Sequence, residues 1–271
     1  MQAAQSNGPS FGCALITGAS SGLGLEFVRQ IAPFAQTLVL ISRREAVLEE
    51  VAERTITDYP HLTVKVFASD LADASSREVL LRSLVAENLR PDLVVNNAGM
   101  GDYGEFRTSE WVKIEEMIRL NMEALTHLTY TFLPGLISEK GSIINVSSLA
   151  SVLPIPDFAV YAATKAFVTS FSEALRLEMR SHGVRVLAVC PGPVKTEFGN
   201  RAKRSVGSKL PVQEAFYETP QTVVSDSLKA LFEDRARVYP GVKVALTAGL
   251  IGLLPLAALR LIMSFRPRRS D

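Results

Sequence analysis

The chain has 271 residues, 47% hydrophobic and 21% charged, which is enough apolar material for one large domain or two small ones. A formal net charge of +1 gives no electrostatic footprint for nucleic acid, so no nucleic-acid partner is expected. Cys13 and Cys190 lie in apolar runs and read as small buried hydrophobes, not a disulfide framework, and His61, His127 and His182 lack metal-ligand spacing, so no metal is expected.

In chain order, the polar tail 1–11 has no basic-then-apolar leader pattern, which predicts a cytoplasmic protein. Short β-branched runs then alternate with helical patterns. Strands are predicted at "CALIT" (13–17), "TLVLIS" (37–42), "LTVKVFAS" (62–69), "DLVVNN" (92–97), "SIINVSS" (142–148) and "VRVLAVC" (184–190). Helices are predicted over 22–33, 44–57, 73–88, one long stretch 108–133, and 160–180. Such alternation predicts an α/β fold: a doubly wound, Rossmann-like parallel sheet with helices on both faces. With no linker or repeat in view, 12–240 reads as one domain followed by an apolar extension, 241–271.

Between the first strand and the first helix runs "TGASSGLG" (17–24), with Gly18, Gly22 and Gly24. Glycines here allow a tight turn and let a pyrophosphate approach the N–H groups at a helix N-terminus. The spacing is not the usual G-x-G-x-x-G. The same loop formally matches the G-x-S-x-G nucleophile elbow (Gly18, Ser20, Gly22), but an elbow needs earlier strands to supply an oxyanion loop, and one short strand precedes this one. The second strand ends in Ser42, Arg43 and Arg44, where a site for NAD usually carries an acidic residue. Arg43 can pair with a 2′-phosphate, so NADP is expected over NAD.

Together these segments resemble the short-chain dehydrogenase/reductases over about residues 12–240. The matching pieces, in the family's order, are "TGASSGLG" (17–24), "SDL" (69–71), "NNAG" (96–99), "LN" (120–121), "NVSS" (145–148), "YAATK" (161–165) and "PGPVKT" (191–196). The resemblance implies an NADP(H)-dependent carbonyl/alcohol oxidoreductase. It assigns Thr17, Gly18, Ser20, Ser21, Gly22, Leu23 and Gly24 to the pyrophosphate loop, and Asp70 and Leu71 to the adenine. Asn97, Ala98 and Gly99 would line the cofactor cleft, and Pro191, Gly192, Val194 and Thr196 would meet the nicotinamide end. It implies Ser148, Tyr161, Lys165 and Asn121 as the catalytic set; Ser148 stands thirteen residues before Tyr161, which favours it over Ser147. Ser21 is a mild departure, since many NADP-preferring relatives carry a basic residue there.

The chemistry suits those residue types. Ketone reduction needs a proton on oxygen, and a tyrosine with a pKa of about 10 is a sluggish donor near neutrality. An ammonium one helical turn away, Lys165, favours the phenolate and is expected to lower that pKa. Ser148 can donate to the substrate oxygen. In the family the lysine also binds the nicotinamide ribose, and the asparagine holds a water linked to the lysine.

The segment "LASVLPIPDFAV" (149–160), with Met100, Tyr103 and Phe106, suggests a lipophilic carbonyl or alcohol as substrate. Arg201, Lys203, Arg204 and Lys209, in the family's substrate-loop region 197–220, read either as partners for an acidic group or as a solvated face. The uncharged run 244–259 would make roughly 24 Å of helix, short of the roughly 30 Å hydrocarbon core of a bilayer, and Pro255 would break it. It reads as a lid, a dimer contact, or part of a peripheral membrane segment, 244–269, with Arg266, Arg268 and Arg269 at the headgroups. By family analogy the chain forms a homodimer or homotetramer through its two long helices. The alternative to an enzyme is a catalytically silent NADP-binding sensor, or a membrane-attached interaction protein.

Overall fold

The structure, a computed structural model, describes residues 10–204 and 216–265. Seven parallel strands form one sheet in the order β3-β2-β1-β4-β5-β6-β7. They are β1 (Phe11–Thr17), β2 (Ala35–Ser42), β3 (Thr63–Ala68), β4 (Leu93–Asn96), β5 (Ser142–Val146), β6 (Arg185–Val189) and β7 (Arg237–Val238). The helices are α1 (Gly22–Ile31), α2 (Glu45–Asp58), α3 (Ala74–Ala86), α4 (Trp111–Ile118), α5 (Leu125–Glu139), α6 (Ala159–Met179), α7 (Phe198–Ala202), α8 (Pro220–Phe232), α9 (Val242–Leu253) and α10 (Leu256–Ser264).

Strand alternation divides the core in two. On one face Ala14, Ile16, Leu38, Leu40, Val95, Ile144 and Leu187 meet Phe27 and Ile31 of α1, Leu48 of α2 and Val224 and Leu228 of α8. On the other, Cys13, Leu15, Val39, Ile41, Val94, Ile143 and Val186 meet Leu80 and Leu84 of α3, Leu128 and Leu136 of α5 and Leu175 of α6. Both cysteines are buried free thiols. The sheet is therefore the doubly wound Rossmann-like one that the alternation predicts. Its order reverses between β1 and β4, and ligands of such sheets bind beyond the strand ends at that point.

Two features differ from the sequence reading. A seventh strand, β7, is two residues long and gives no periodic signal. The single helix expected over 108–133 is two helices joined by a π-helical turn, Arg119–Ala124, and it runs on to Glu139 with Pro134 inside it. Pro134 lies on the exposed side, where water can serve the carbonyl it leaves without a donor. As the sequence predicts, Pro255 splits the apolar C-terminal run into α9 and α10, bent by 116°. No single described helix is long and apolar enough to cross a membrane, although the bent pair passes that test together.

Candidate active site

At the switch point opens a cleft of about 1090 Å³, lined from one end by Gly18, Ser20 to Leu23, Ser42 to Arg44 and Ser69 to Leu71, and from the other by Tyr161 and the segment after β6. The glycine loop forms because Gly18 and Gly22 take φ of +67° and +57°, which side chains disfavour. Gly24 is required by proximity: a Cβ there would lie 2.6 Å from the Gly18 carbonyl carbon. Asn97 braces the loop from β4, donating through Nδ2 to the Thr17 carbonyl at 2.8 Å, while the Thr17 hydroxyl accepts from the N–H groups of Asn97 and Ala98, both at 2.9 Å. Ser21 begins α1 without any side-chain cap, and the first turn holds no acid. Its free N–H groups and positive dipole end suit an anionic ligand, and the cradle has no space for side chains on its glycines. The residues fit the pyrophosphate of a dinucleotide.

At the end of the cleft beyond β2, Arg43 and Arg44 play different parts. Arg43 is mostly exposed; it donates to Glu116 at 2.9 Å and lies 3.9 Å from Asp70. Arg44 bends back onto the glycine loop and donates to the Ser20 hydroxyl at 3.0 Å and carbonyl at 3.3 Å. Asp70 lines the cleft and also accepts from the Ala72 N–H at 3.0 Å, shaping its own turn.

At the other end Tyr161 and Lys165 project from the first turns of α6. The Ser148 hydroxyl lies near enough to Tyr161 to favour its ionisation, and it accepts from the Ala150 N–H at 3.1 Å. Ser147 instead donates to the Lys165 carbonyl at 2.8 Å, so its hydroxyl is committed to the backbone of α6. Burial pushes Tyr161 up to about 12, although the nearby Ser148 hydroxyl acts to lower it. The expected lowering by Lys165 does not offset burial; Lys165 Nζ donates to the Val146 carbonyl at 2.8 Å and stands 5.8 Å from the Tyr161 ring centre. The same burial pushes Lys165 down to about 8.

Residues 12–206 match the profile of the family described as short chain dehydrogenase. The chain belongs to that family. It is 31% identical over 233 residues to the bovine (Bos taurus) very-long-chain 3-oxoacyl-CoA reductase, covering 84% of this chain and 71% of that one. Among solved structures it is similar to a short-chain dehydrogenase from Sphingobium yanoikuyae in complex with NADPH (TM-score 0.79, 29% identity, covering 96% of this chain and 98% of that one). It is also similar to the bulky-bulky ketone specific alcohol dehydrogenase from Comamonas testosteroni (TM-score 0.75, 26% identity, 98% of each chain). The protein is thus a short-chain dehydrogenase-type oxidoreductase, and solved relatives support a nicotinamide cofactor.

Most residues that the family resemblance singles out meet in this cleft: Gly18, Ser20 to Leu23, Arg43, Asp70, Leu71, Asn97 to Gly99, Ser148, Tyr161, Lys165, Pro191, Gly192, Val194 and Thr196 all line it. Thr17, Gly24 and Asn121 stand behind its wall. Asn121 is 1% exposed: its Oδ1 accepts from the Met100 N–H at 2.9 Å, and its Nδ2 donates to the Met100 carbonyl at 2.9 Å and to Thr164 at 3.0 Å. The π-helical turn brings it there, and such turns recur at functional sites. It reaches Lys165 only across Gly99, where a Cβ would lie 3.2 Å from Asn121 Oδ1 and 3.3 Å from Lys165 Nζ.

Around Tyr161, the side chains of Met100, Tyr103, Leu149, Leu153, Ile155 and Phe158 line the cleft, whereas Phe106 is 62% exposed and outside it. The sequence reading missed Arg44, Phe198, Phe216 and Tyr217 as lining. An aromatic after the "PGPVKT" segment is the one signal that could have found Phe198. Arg204 is neither a solvated cation nor a free anion site, being bonded to Asp102, and Lys209 lies outside the described residues.

Proposed function

We propose that this protein is an NADP(H)-dependent oxidoreductase interconverting a lipophilic carbonyl and its secondary alcohol, with Tyr161 as the proton donor and acceptor. The observation that carries the reading is that Tyr161, Ser148 and Lys165 line one cleft whose other end is the glycine cradle. Bound there, a nicotinamide dinucleotide would supply or accept the hydride. Tyr161, kept neutral by burial, holds the proton that a reduced carbonyl oxygen needs at neutral pH. Ser148 donates to that oxygen, and Lys165 offers its ammonium within the same wall. Asn121 positions Met100 and the helix carrying Lys165.

NADP over NAD is supported by Arg43 and Arg44, two guanidinium groups at the end of β2 with no acid between them. A lipophilic substrate is supported by the apolar wall from Met100 to Phe158. The 3-oxoacyl-CoA reductase relatives make a 3-oxoacyl thioester the first class to try, and the Comamonas relative makes bulky ketones the second. NADPH oxidation measured on 3-oxoacyl-CoA chains of graded length and on bulky ketones tests this. Turnover on either series supports the reading, and NADPH binding without turnover on both favours the sensor alternative.

We further propose a homo-oligomer formed through α4 to α6, whose Trp111, Val112, Tyr130 and Leu177 are exposed, and a cytoplasmic protein touching a membrane through its C-terminal extension. On α9 the exposed Val242, Leu246, Leu250 and Leu253 form one stripe. Residues 242–265 contain Lys243 and Arg260 but no acid, which suits an anionic lipid surface. Vesicles containing phosphatidylserine should sediment the protein and lose it on Leu246→Glu with Leu250→Glu; light scattering gives the oligomer size.

A further inference from the structure

Asp102, shortly after β4, has a side chain only 3% exposed, yet it is charged. Arg204 holds it with Nε at 3.0 and 3.1 Å from the two carboxylate oxygens and Nη2 at 2.5 Å, and Lys113 Nζ adds a contact at 3.0 Å. These two cations keep the carboxyl below the usual carboxylate range despite burial. The same guanidinium donates to the Glu105 carbonyl at 2.9 Å, to the Thr108 hydroxyl at 2.7 Å, and to Ser109. One side chain from beyond α7 thus gathers four residues of the segment 102–109. It lies directly over Gly104, where a Cβ would come within 2.7 Å of the guanidinium carbon. Beside it the Tyr103 N–H donates to the Ala202 carbonyl at 2.7 Å, and Tyr103 and Lys203 form a parallel bridge.

Each of the two segments fastened here carries a ring of the aromatic cluster around Tyr161, one touching it directly and the other through Phe158. Phe198, the first residue of α7, has its ring centre 5.6 Å from that of Tyr161. Tyr103 packs edge-on against Phe158 at 5.5 Å, and Phe158 lies 4.5 Å from Tyr161. The fit is close: a Cβ on Gly101 would lie 3.0 Å from the Phe198 ring. A buried ion pair is weak evidence for stability, since apolar residues of similar volume often serve as well. Its placement at the join between two walls of the substrate cleft gives it another use.

We propose that the Asp102–Arg204 pair is a positioning device that clamps α7, and with it Phe198, against Tyr161, and so sets the width of the substrate side of the cleft. It acts through Phe198 and Tyr103 and touches no reacting atom. The inference rests on the reading of Tyr161 as the proton donor to a carbonyl.

Arg204→Gln is the informative variant, because Lys113 remains to pair the buried Asp102. Steady-state kinetics with one short-chain and one bulky ketone, together with NADPH titration, should show the ketone KM raised about tenfold. A shift of about 1 Å can cost up to roughly 100-fold. The expected kcat stays within about threefold and the NADPH Kd is unchanged, while preference between the two ketones narrows and Arg204→Lys recovers part of the loss. Hydrogen exchange of the amides in 198–204, measured on the NADPH-loaded protein, should rise about tenfold whether or not any ketone is turned over. A folded Arg204→Gln protein with unchanged KM and preference would overturn the proposal. So would unchanged exchange in 198–204, even if the carbonyl reading itself failed. Proportional losses in kcat, ketone KM and NADPH binding would also overturn it, as the mark of a purely structural role.

Discussion

Replacing Gly24 by alanine tests the cofactor cradle at its tightest point. The added Cβ would lie 2.6 Å from the Gly18 carbonyl carbon and 2.7 Å from Asn97 Nδ2, and would overlap the Gly18 carbonyl oxygen. Neither neighbour can give way cheaply. The Gly18 N–H is tied to the Ile41 carbonyl at 2.8 Å, and Asn97 Nδ2 to the Thr17 carbonyl at 2.8 Å. Restoring ordinary van der Waals contact therefore needs the loop and the start of α1 to part by roughly 1 Å, an overpacking that costs about 1–3 kcal/mol. At roughly 2–4 °C per kcal/mol for a chain of this size, the melting temperature should fall by about 2–12 °C. The displaced groups are the N–H donors proposed for the pyrophosphate, so NADPH should bind at least about tenfold more weakly, a loss of about 1.4 kcal/mol. Thermal melting and titration of NADPH fluorescence read both effects. A Gly24→Ala protein that melts within about 1 °C of the parent and binds NADPH equally well would refute the cradle as drawn, since even the smallest thermal change predicted by the overpacking is about twice that.

Gly135→Ala is the matched control: nothing lies within 4 Å of its Cβ, in the middle of α5, so melting should rise, reflecting about 0.5–1 kcal/mol of added stability. Arg44→Ala should weaken NADPH binding more than NADH binding, through loss of a charge beside the loop, as seen in parallel titrations of both nucleotides. Lys165→Met should abolish turnover yet raise stability at pH 7. The lysine's pKa is pushed from 10.5 down to about 8 by burial, so between those values the unfolded chain binds more protons and the parent gains stability as pH rises. The variant's advantage should accordingly shrink from pH 8 toward 10.5 in melts across that range; an advantage that does not change with pH would contradict a buried ammonium.

Much of the site was legible because the chemistry is compressed into short segments. "TGASSGLG", "NNAG" and "YAATK" sit at strand ends or a helix start, and the parallel order of β1, β4, β5 and β6 carries them to one cleft. Strand positions followed from β-branched runs for the same reason. What the sequence hid depends on tertiary geometry. A π-helical turn has no periodic signature, so Asn121 could be placed on a helix but not turned inward onto Met100. Adjacent arginines look alike in a sequence, whereas in the fold Arg43 reaches Glu116 and Arg44 reaches Ser20. The effect of Lys165 on Tyr161 was read from spacing alone. Spacing does not report that burial acts on both groups and that the ammonium is bonded to Val146. Asp102 and Arg204 are 102 residues apart, beyond any local pattern.

The central claim is that Tyr161 moves a proton to or from a carbonyl oxygen in a site built for NADP(H). Its most direct test is NADPH oxidation by the parent and by Tyr161→Phe on the same 3-oxoacyl-CoA and bulky-ketone series. The account predicts turnover in the parent, a fall of at least about 100-fold in Tyr161→Phe, and unchanged NADPH affinity. Turnover that survives the loss of the hydroxyl would contradict it.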